Sequence, residues 1–318
     1  MNNITAITIG DLKGIGIKLL IKEWKNKKIN NFVLITNFTI LKKNINFATN
    51  KINIINSETE IRNYNKKKLN IYNIKTENIY TNAFESLKHA YLLTKKKLFN
   101  GIITLPINKR EINKFVKKDF IDQTTFFSKL EKSNNSNMIF IYKNKYFVPL
   151  TIHIEIKKVA SHFRNKKFIV NKLLSLVNTM KNDFNIKNPK IAIAGINPHA
   201  GEDGLISNED KKLILPILKL LRNKKIIING PFSGDSIINK NNLKKYDAFV
   251  FTFHDQALIP FKLISNFEGV NFTSNLNIIR LSPSHGTARD IINKNIATSN
   301  GLLNCFKLIK QINKNRKN

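Results

Sequence analysis

Three of the six histidines in this chain stand where short apolar runs end, in surroundings that could support metal chemistry. His153 ends the phrase VPLTIH, His199 lies within INPHAGE, and His254 lies within FTFHDQ. Taken singly, a histidine in such a loop is more often a hydrogen-bonded turn residue. As a set, neutral imidazoles at strand ends can converge on one divalent metal and leave positions open for a substrate. The sequence therefore predicts a metal site at these three residues.

The elements that must position these histidines alternate between short apolar runs and helical patterns, as in α/β proteins. Strands are predicted at residues 4–9, 32–35, 52–55, 71–74, 102–105, 190–194, 226–228 and 248–253. Helices are predicted from the turn at 10–16 to residue 24, and at 82–99, 170–180 and 208–221. Residues 138–142 and 146–153 predict an antiparallel hairpin. We expect a mixed sheet with helices on both faces, divided into two lobes with a ligand cleft.

The composition fits a folded chain and argues against a nucleic-acid-binding protein. Its 318 residues are 42% hydrophobic and carry a formal net charge of +33. Lys is spread along the whole chain with a similar excess of Asn and Ile, and all three have A/T-rich codons. A nucleic-acid-binding protein would concentrate its basic residues in one patch or arm. We therefore predict no specific nucleic-acid partner, although the positive field favours phosphates and carboxylates.

Cysteine usage and the start of the chain predict the compartment. The single cysteine, Cys305, excludes an internal disulfide framework and fits a reducing compartment. No signal-peptide pattern opens the sequence, and no apolar run approaches the length of a membrane span. We expect a cytoplasmic protein without membrane contact, ending in a solvated basic tail at residues 307–318.

Further polar phrases offer binding chemistry with open alternatives. The glycines at 10–16 could cradle a phosphate, but they match neither common phosphate motif, and a plain strand-to-helix turn explains them better. The turn at 284–287 could bind a ribose or phosphate, or could simply begin a helix. Lys262, Asn271 and Arg280 recur at intervals of nine and suit an anionic substrate. The alternative is that Lys262 and Arg280 only solvate the surface.

Taken in order, the phrases of this chain resemble the 4-hydroxythreonine-4-phosphate dehydrogenase family of vitamin B6 biosynthesis. The resemblance runs nearly from end to end and is carried by TIGD, GIG, PINK, TIH, GINPHAGE, GPFSGD, FHDQALIPFK, GVNFT and HGTA. Several phrases this specific in the right order are far stronger than any one motif. The resemblance implies an isocitrate/isopropylmalate dehydrogenase-like fold and a homodimer with its site at the subunit interface.

The resemblance also implies the lobes, the cofactors and the metal ligands. Residues 1–120 and 265–318 would form a first lobe on the cofactor side, and residues 121–264 a second lobe with the metal and the dimer interface. NAD or NADP and one divalent metal per subunit, zinc, magnesium or cobalt, would be bound. His153, His199 and His254 match the metal-binding histidines of the family.

The implied reaction is oxidation of the 3-hydroxyl of 4-phosphohydroxy-L-threonine, followed by decarboxylation to 3-amino-2-oxopropyl phosphate. The residues that match substrate-binding positions are Gln123, Thr124, Lys262, Asn271 and Arg280. The residues that match the cofactor loop are His285, Gly286, Thr287 and Ala288. The general base is left open among Asp235, Asp255 and Lys109.

One departure from the family pattern bears directly on the substrate. The family's Gly-His-Thr-Glu is replaced by Asp-Gln-Thr-Thr at residues 122–125. Gln123 can donate a hydrogen bond but cannot shuttle protons near neutral pH. If this amide is a degraded imidazole, Gln123→His should raise turnover. The alternatives are a dehydrogenase of another phosphorylated hydroxy acid, of the threonate or erythronate phosphate type, a catalytically inactive scaffold, or a basic nucleic-acid-binding protein.

Overall fold

The structure is a computed structural model that describes residues 3–46, 49–292, 294 and 296–317. Its strands are β1 (Thr5–Thr8), β2 (Phe32–Thr36), β3 (Ile52–Ile55), β4 (Leu69–Asn73), β5 (Ile102–Thr104), β6 (Met138–Tyr142), β7 (Lys145–Pro149), β8 (Ile191–Ala194), β9 (Ile228–Phe232), β10 (Ala248–Phe251), β11 (Val270–Thr273) and β12 (Arg280–Pro283). Its α-helices are α1 (Ile15–Lys25), α2 (Phe38–Asn44), α3 (Ile79–Lys95), α4 (Lys109–Phe115), α5 (Gln123–Leu130), α6 (Val159–Arg164), α7 (Lys166–Asn182), α8 (Leu215–Asn223), α9 (Lys240–Lys245), α10 (His254–Ser265) and α11 (Asn300–Asn315).

The chain divides into two compact units. The first unit comprises Met1–Glu131 and Leu276–Asn313, and the second comprises Lys132–Asn275 and Lys314–Asn318. The sequence placed the lobe boundaries earlier, at 120/121 and 264/265. The roles assigned to the two lobes stay predictions.

The first unit is built on a parallel sheet with the strand order β3-β4-β2-β1-β5-β12. Its central strands are buried along their whole length, since every residue of β1 and β2 is buried. Such continuous burial is typical of parallel strands, because helices cover both faces of their sheets. Parallel strands also send all their carboxyl ends to one edge, and the loops after β1 and β5 leave from that edge.

The second unit has a mixed sheet with the order β11-β6-β7-β10-β8-β9. The pairs β11–β6 and β6–β7 are antiparallel, and the pairs from β7 to β9 are parallel. The β6–β7 pair confirms the predicted hairpin, but β7 ends at Pro149, so His153 lies in the loop beyond the strand. Phenylalanine rings hold this unit together, with Phe147 5.7 Å from Phe249 and 5.6 Å from Phe261 between ring centroids.

The predicted α/β class is confirmed, and the errors are local. β9 begins at Ile228 instead of residue 226, and β11 and β12 were not predicted. The prediction of a solvated tail at residues 307–318 was wrong up to residue 315, because α11 covers that segment. Its buried positions are spaced by one helical turn, which makes one stripe of the helix part of the core; they include Leu302, Cys305, Phe306, Ile309 and Ile312. In the described residues, no helix combines the length and apolar character needed to cross a membrane.

Lys172 of α7 is a buried cation in the second unit, with only 7% of the residue exposed. Its Nζ donates to the carbonyl oxygen of Leu150 at 2.9 Å, just after β7 ends. Burial lowers the pKa of Lys172 from 10.5 to about 8, because the charged amine loses its hydration. The amine thus fixes the strand exit that leads to His153, at a cost in stability.

The burial of Lys172 predicts that the unfolding free energy depends on pH. In the unfolded chain Lys172 titrates near its ordinary pKa, so the unfolded state binds this proton more tightly than the folded state, and stability rises with pH between the two pKa values. From about pH 7 to about pH 10, the unfolding free energy of the parent should gain roughly 2 kcal/mol relative to Lys172→Met. Urea unfolding of both proteins at each pH measures this, and a constant difference would contradict it.

Candidate functional site

The three predicted metal-binding histidines follow three neighbouring strands of the second unit. His153 comes after β7, His254 directly after β10, and His199 after β8. The strands β7, β10 and β8 are adjacent and parallel. Their carboxyl ends therefore meet at one edge of the sheet, where ligands bind in α/β proteins.

Hydrogen bonds tie these three strand exits together. The Thr151 hydroxyl after β7 donates to the carbonyl of Thr252 after β10, at 2.6 Å. The amide oxygen of Gln256 accepts from the backbone N–H of Thr252 at 2.9 Å, and its Nε2 donates to the carbonyl of Gly195 after β8 at 3.0 Å. Gln256 is therefore a positioning residue between two of the histidine loops. The phrase FTFHDQ contains Gln256, but the sequence alone predicted no role for it.

His153 and His254 are brought together. Their ring centroids lie 5.5 Å apart with an interplanar angle of 38°. The Nδ1 of His254 is 2.6 Å from Oδ1 of Asp255, which orients the ring and leaves Nε2 for another partner. His153 has a φ of 53°, a left-handed conformation that turns its loop sharply. Two imidazoles at this spacing fit two ligands of one metal ion.

The His199 loop has an unusual backbone. Five successive residues, 199–203, have positive φ, and only Gly201 among them is a glycine. Left-handed conformations cost an L-residue roughly 1–2 kcal/mol each, so this turn stores strain. The buried carboxylate of Asp210 anchors its start by accepting from the N–H of Ile196 at 2.7 Å and of Asn197 at 3.1 Å.

The described part of a single chain does not unite all three histidines. Within it, no group of three His, Cys, Asp or Glu side chains is close enough to hold a metal ion. The convergence of His199 with His153 and His254 stays a prediction. Asp235 lies within electrostatic reach of His199, and its pKa is lowered, chiefly by the hydrogen bond from the Ser233 hydroxyl. Asp235 is therefore ionised at neutral pH.

Arg280 is a buried cation of the first unit and not a surface residue, since only 1% of it is exposed. Its Nε and Nη2 donate to Oγ1 of Thr104 at 3.1 and 2.7 Å, and its Nη1 donates to Oγ1 of Thr124 at 3.2 Å. Nη2 also donates to Oε1 of Gln123. Burial lowers the pKa of Arg280 to about 10, so it remains charged at neutral pH.

Gln123 uses its whole amide inside the first unit. Its Oε1 accepts from the Thr104 hydroxyl at 2.7 Å as well as from Arg280, and its Nε2 donates to the Leu105 carbonyl at 3.0 Å. Only 8% of Gln123 is exposed. Gln123 therefore holds the guanidinium in place, a role that the sequence did not suggest.

The other predicted binding and catalytic residues have varied settings. Lys262 is exposed on α10, and Lys109 is the exposed first residue of α4. The Oδ1 of Asn271 is buried and has no hydrogen-bond partner among the described residues, so it could accept a bond from a ligand. Asp255 is occupied by His254, which makes it an orienting group.

The predicted cofactor turn is joined to the glycine loop after β1. The backbone N–H of Ile15 donates to the Thr287 carbonyl at 2.9 Å. A Cβ added at Gly14 would lie 2.8 Å from that same oxygen, so only glycine fits there. Arg289, just after the turn, forms a clamp with Asp11 of the glycine loop and Glu111 of α4. Its Nε lies 2.6 Å from Asp11 Oδ2, and its Nη1 lies 2.9 Å from Glu111 Oε1. The Arg289 clamp was not predicted, although Asp11 ends the phrase TIGD and Arg289 directly follows the phrase HGTA.

The turn itself has the features of a ligand-binding loop. The Ser284 hydroxyl is buried without a hydrogen-bond partner among the described residues. A Cβ at Gly286 would meet nothing within 4 Å, so space lies in front of the backbone. Desolvation lowers the pKa of His285, so its imidazole is neutral at neutral pH. These features fit a nucleotide cofactor held by backbone and hydroxyl groups.

A family model supplies the identity that this geometry leaves open. The model described as pyridoxal phosphate biosynthetic protein PdxA matches residues 28–309, which is most of the chain. The chain belongs to the PdxA family. The resemblance seen in the sequence is thereby confirmed.

Relatives of this PdxA-family chain carry a common enzyme name. A 4-hydroxythreonine-4-phosphate dehydrogenase of a Sulfurihydrogenibium species is 32% identical over 323 residues, covering 98% of this chain and 99% of that protein. One from Bacteroides thetaiotaomicron is 29% identical, covering 98% and 89%. The crystal structure of the enzyme of that name from Klebsiella pneumoniae superposes with a TM-score of 0.79 at 24% identity, covering 98% of both chains, and shows the shared fold.

The contacts of Gln123 predict the effect of removing its amide. Gln123→Met keeps the length of the side chain but leaves the Arg280 guanidinium and the Leu105 carbonyl each short of a buried partner. We expect the unfolding free energy to fall by about 1–3 kcal/mol. Gln123→His should also lower the unfolding free energy. Its turnover should not rise, whereas the resemblance alone predicts a gain in turnover. Urea unfolding and turnover of both variants test this; unchanged stability in Gln123→Met would refute it.

Proposed function

We propose that this chain is an NAD- or NADP-dependent, metal-dependent 4-hydroxythreonine-4-phosphate dehydrogenase. It oxidises the 3-hydroxyl of 4-phosphohydroxy-L-threonine, and the β-keto acid formed loses carbon dioxide to give 3-amino-2-oxopropyl phosphate, in pyridoxal phosphate biosynthesis. Family membership supports the reaction. The observation that carries the proposal in this chain is the 5.5 Å approach of the His153 and His254 rings at a strand edge.

The proposed metal ligands are His153, His254 and His199. Neutral imidazoles suit zinc or cobalt and also other divalent ions. A bound divalent ion supplies a Lewis acid that lowers the pKa of the substrate hydroxyl and polarises the new carbonyl. Asp255 orients the ring of His254 through Nδ1, which leaves Nε2 as the nitrogen that would hold the ion.

Removal of the proton from the substrate hydroxyl is assigned to Asp235, one of the three candidates for the general base. Its carboxylate is exposed, ionised at neutral pH and within electrostatic reach of His199. Asp255 already serves His254, and Lys109 stands at the start of α4 in the first unit. The proposed base therefore acts beside the metal-binding loops of the second unit.

The anionic substrate is assigned to Arg280 with Gln123 and Thr124 in the first unit. A guanidinium whose direction is fixed by Thr104, Gln123 and Thr124 suits planar recognition of phosphate or carboxylate. In this arrangement Gln123 acts through Arg280. Lys262 and Asn271 of the second unit are proposed as further substrate contacts, with the amide oxygen of Asn271 as an acceptor.

The nicotinamide cofactor is assigned to the turn of His285, Gly286, Thr287 and Ala288. The unpartnered Ser284 hydroxyl and the space before Gly286 support this. Arg289 holds the turn against the glycine loop by pairing with Asp11 and Glu111.

Exposed apolar residues support a homodimer with its site at the interface. Large apolar side chains follow each metal-binding histidine in the sequence and are mostly exposed: Ile156 65%, Leu205 86%, Ile259 70% and Leu263 82%. Exposed apolar surface near a site is typical of an interaction surface. We propose that a second copy of this chain covers it in the cytoplasm.

The presence of Gln123 leaves one alternative function to be tested. A dehydrogenase of another phosphorylated hydroxy acid, of the threonate or erythronate phosphate type, would share the metal and cofactor machinery and differ at this position. Comparing the two substrate types in the assay below separates the possibilities, because the proposed enzyme should prefer 4-phosphohydroxy-L-threonine.

The metal assignment predicts a specific loss of activity. His254→Ala and His153→Ala should each lower kcat/KM by about 100-fold or more, since even indirect partners of a metal are worth 10–100-fold. NADH absorbance with 4-phosphohydroxy-L-threonine, with and without a chelator, measures this. His162→Ala is the matched control, because His162 is a partly exposed histidine of α6 whose Nδ1 lies 2.8 Å from the carbonyl oxygen of Lys158, the N-cap residue of that helix. Chelator-insensitive turnover in the parent would overturn the assignment.

The cofactor assignment predicts a separate effect of Arg289. Arg289→Gln removes the ion pairs to Asp11 and Glu111 and should raise the KM for the cofactor about tenfold, with a small change in kcat. The exposed Arg110 of α4 provides a control, Arg110→Gln, which removes the same charge. Initial rates against cofactor concentration measure both. Equal KM values for Arg289→Gln and the parent would show that the clamp does not position the cofactor.

A further inference from the structure

A cavity of about 890 Å³ lies in the first unit, at one edge of its parallel sheet. Phe32, Ile52 and Leu69 line it, and they are the first residues of β2, β3 and β4. It therefore lies at the amino ends of these parallel strands. The glycine loop after β1 and the residues after β5 leave from the carboxyl ends, so this cavity is distinct from the proposed cofactor and substrate groups.

The polar lining of the cavity is almost entirely cationic. Six lysines line it, and the described lining residues include no carboxylate; the six are Lys25, Lys27, Lys51, Lys66, Lys67 and Lys68. They come from the end of α1, the start of β3 and the turn before β4. Three separate segments thus place like charges around one concavity.

Nearby carboxylates are committed elsewhere. Glu23 is buried and accepts from the Ser299 hydroxyl at 2.7 Å, and Glu58 pairs with Lys96 at 2.6 Å. Glu60 accepts from the backbone N–H of Asn56 at 2.9 Å. Among the described residues, no ion pair involves any of the six lysines of the cavity. Their mutual repulsion is therefore uncompensated within this part of the chain, and an anion with several charges would relieve it.

Aromatic groups complete the lining. Trp24 and Tyr64 are half-buried and both face the cavity, beside the apolar floor. Lysine is a point-charge binder of phosphate, and an indole offers a flat face on which a base can stack. A partly open concavity of this size matches a small ligand better than a long nucleic acid, which needs an extended groove.

We propose that this cavity is a second anion site, which binds an oligophosphate chain, either free or as part of a nucleotide. The lysines hold the phosphates, and Trp24 contacts whatever the chain carries. The proposal is independent of the dehydrogenase activity, because none of these residues belongs to the proposed active site.

The test uses the fact that Trp24 is the only tryptophan, so intrinsic tryptophan fluorescence reports on this cavity alone. The full chain is titrated with sodium tripolyphosphate at a fixed ionic strength of about 0.15 M, where nonspecific surface attraction is screened. We expect a saturable change in fluorescence. The triple variant K66Q/K67Q/K68Q should bind at least about tenfold more weakly, equivalent to about 1.4 kcal/mol.

A charge-matched control separates a site from general attraction. K211Q/K212Q/K219Q removes the same charge from exposed positions of the second unit and should keep the affinity within about twofold of the parent. Lys51→Gln, on a different segment of the lining, is a second variant should the triple variant fold poorly, and it should also weaken binding. A response that does not saturate, or an equal loss in both triple variants, would overturn the proposal.

A second arm identifies the source of the phosphates. Calorimetry with ATP and with tripolyphosphate is compared in the parent and in Trp24→Leu. Tighter binding of ATP that is lost in Trp24→Leu assigns a nucleotide, and equal affinities assign the phosphate chain alone. Retention of full tripolyphosphate affinity by K66Q/K67Q/K68Q would show that the anion binds elsewhere and would refute the site.

Discussion

The parallel pairing of β7, β10 and β8 is the constraint on which the proposed chemistry depends. Because the three strands are neighbours and run the same way, the loops that carry His153, His254 and His199 must leave from one edge. The hydrogen bonds of Thr151, Thr252 and Gln256 then fix the relative positions of these loops. A register shift between any two of these strands would separate the imidazoles, so the core that aligns them also serves the site.

Each unit contains a buried cation, and the second unit also contains a strained loop. In the second unit, Lys172 is buried to hold a strand exit, and the His199 loop keeps a strained backbone. In the first unit, the buried charge of Arg280 is held by neutral hydroxyls and the Gln123 amide. Burial of a cation costs stability, and the Gln123 amide offsets part of this cost by accepting a hydrogen bond from Arg280.

Sequence patterns predicted most of the fold because the apolar runs of this chain are separated by clear polar turns. β3 was predicted to the residue, and the hairpin was recognised from its apolar runs and the short polar turn between them. The strands β11 and β12 are as long as β3 but were missed, because their sequences VNFT and RLSP contain polar residues and no continuous apolar run. The helix α11 was missed because Lys and Asn residues obscured its apolar stripe. In the site, motifs identified the histidines, but contacts such as the Arg289 clamp join distant positions, and only the fold reveals them.

His153 and His254 are proposed as ligands of one metal ion, joined by His199. Crystals of the protein grown with cobalt or zinc, with diffraction collected on both sides of the metal absorption edge, would locate that ion. We expect one anomalous peak per chain, about 2.0–2.1 Å from a nitrogen of each of these two rings, with an imidazole of His199 from either copy completing the set. A peak coordinated by other side chains, or no peak at these rings in metal-saturated crystals, would contradict it.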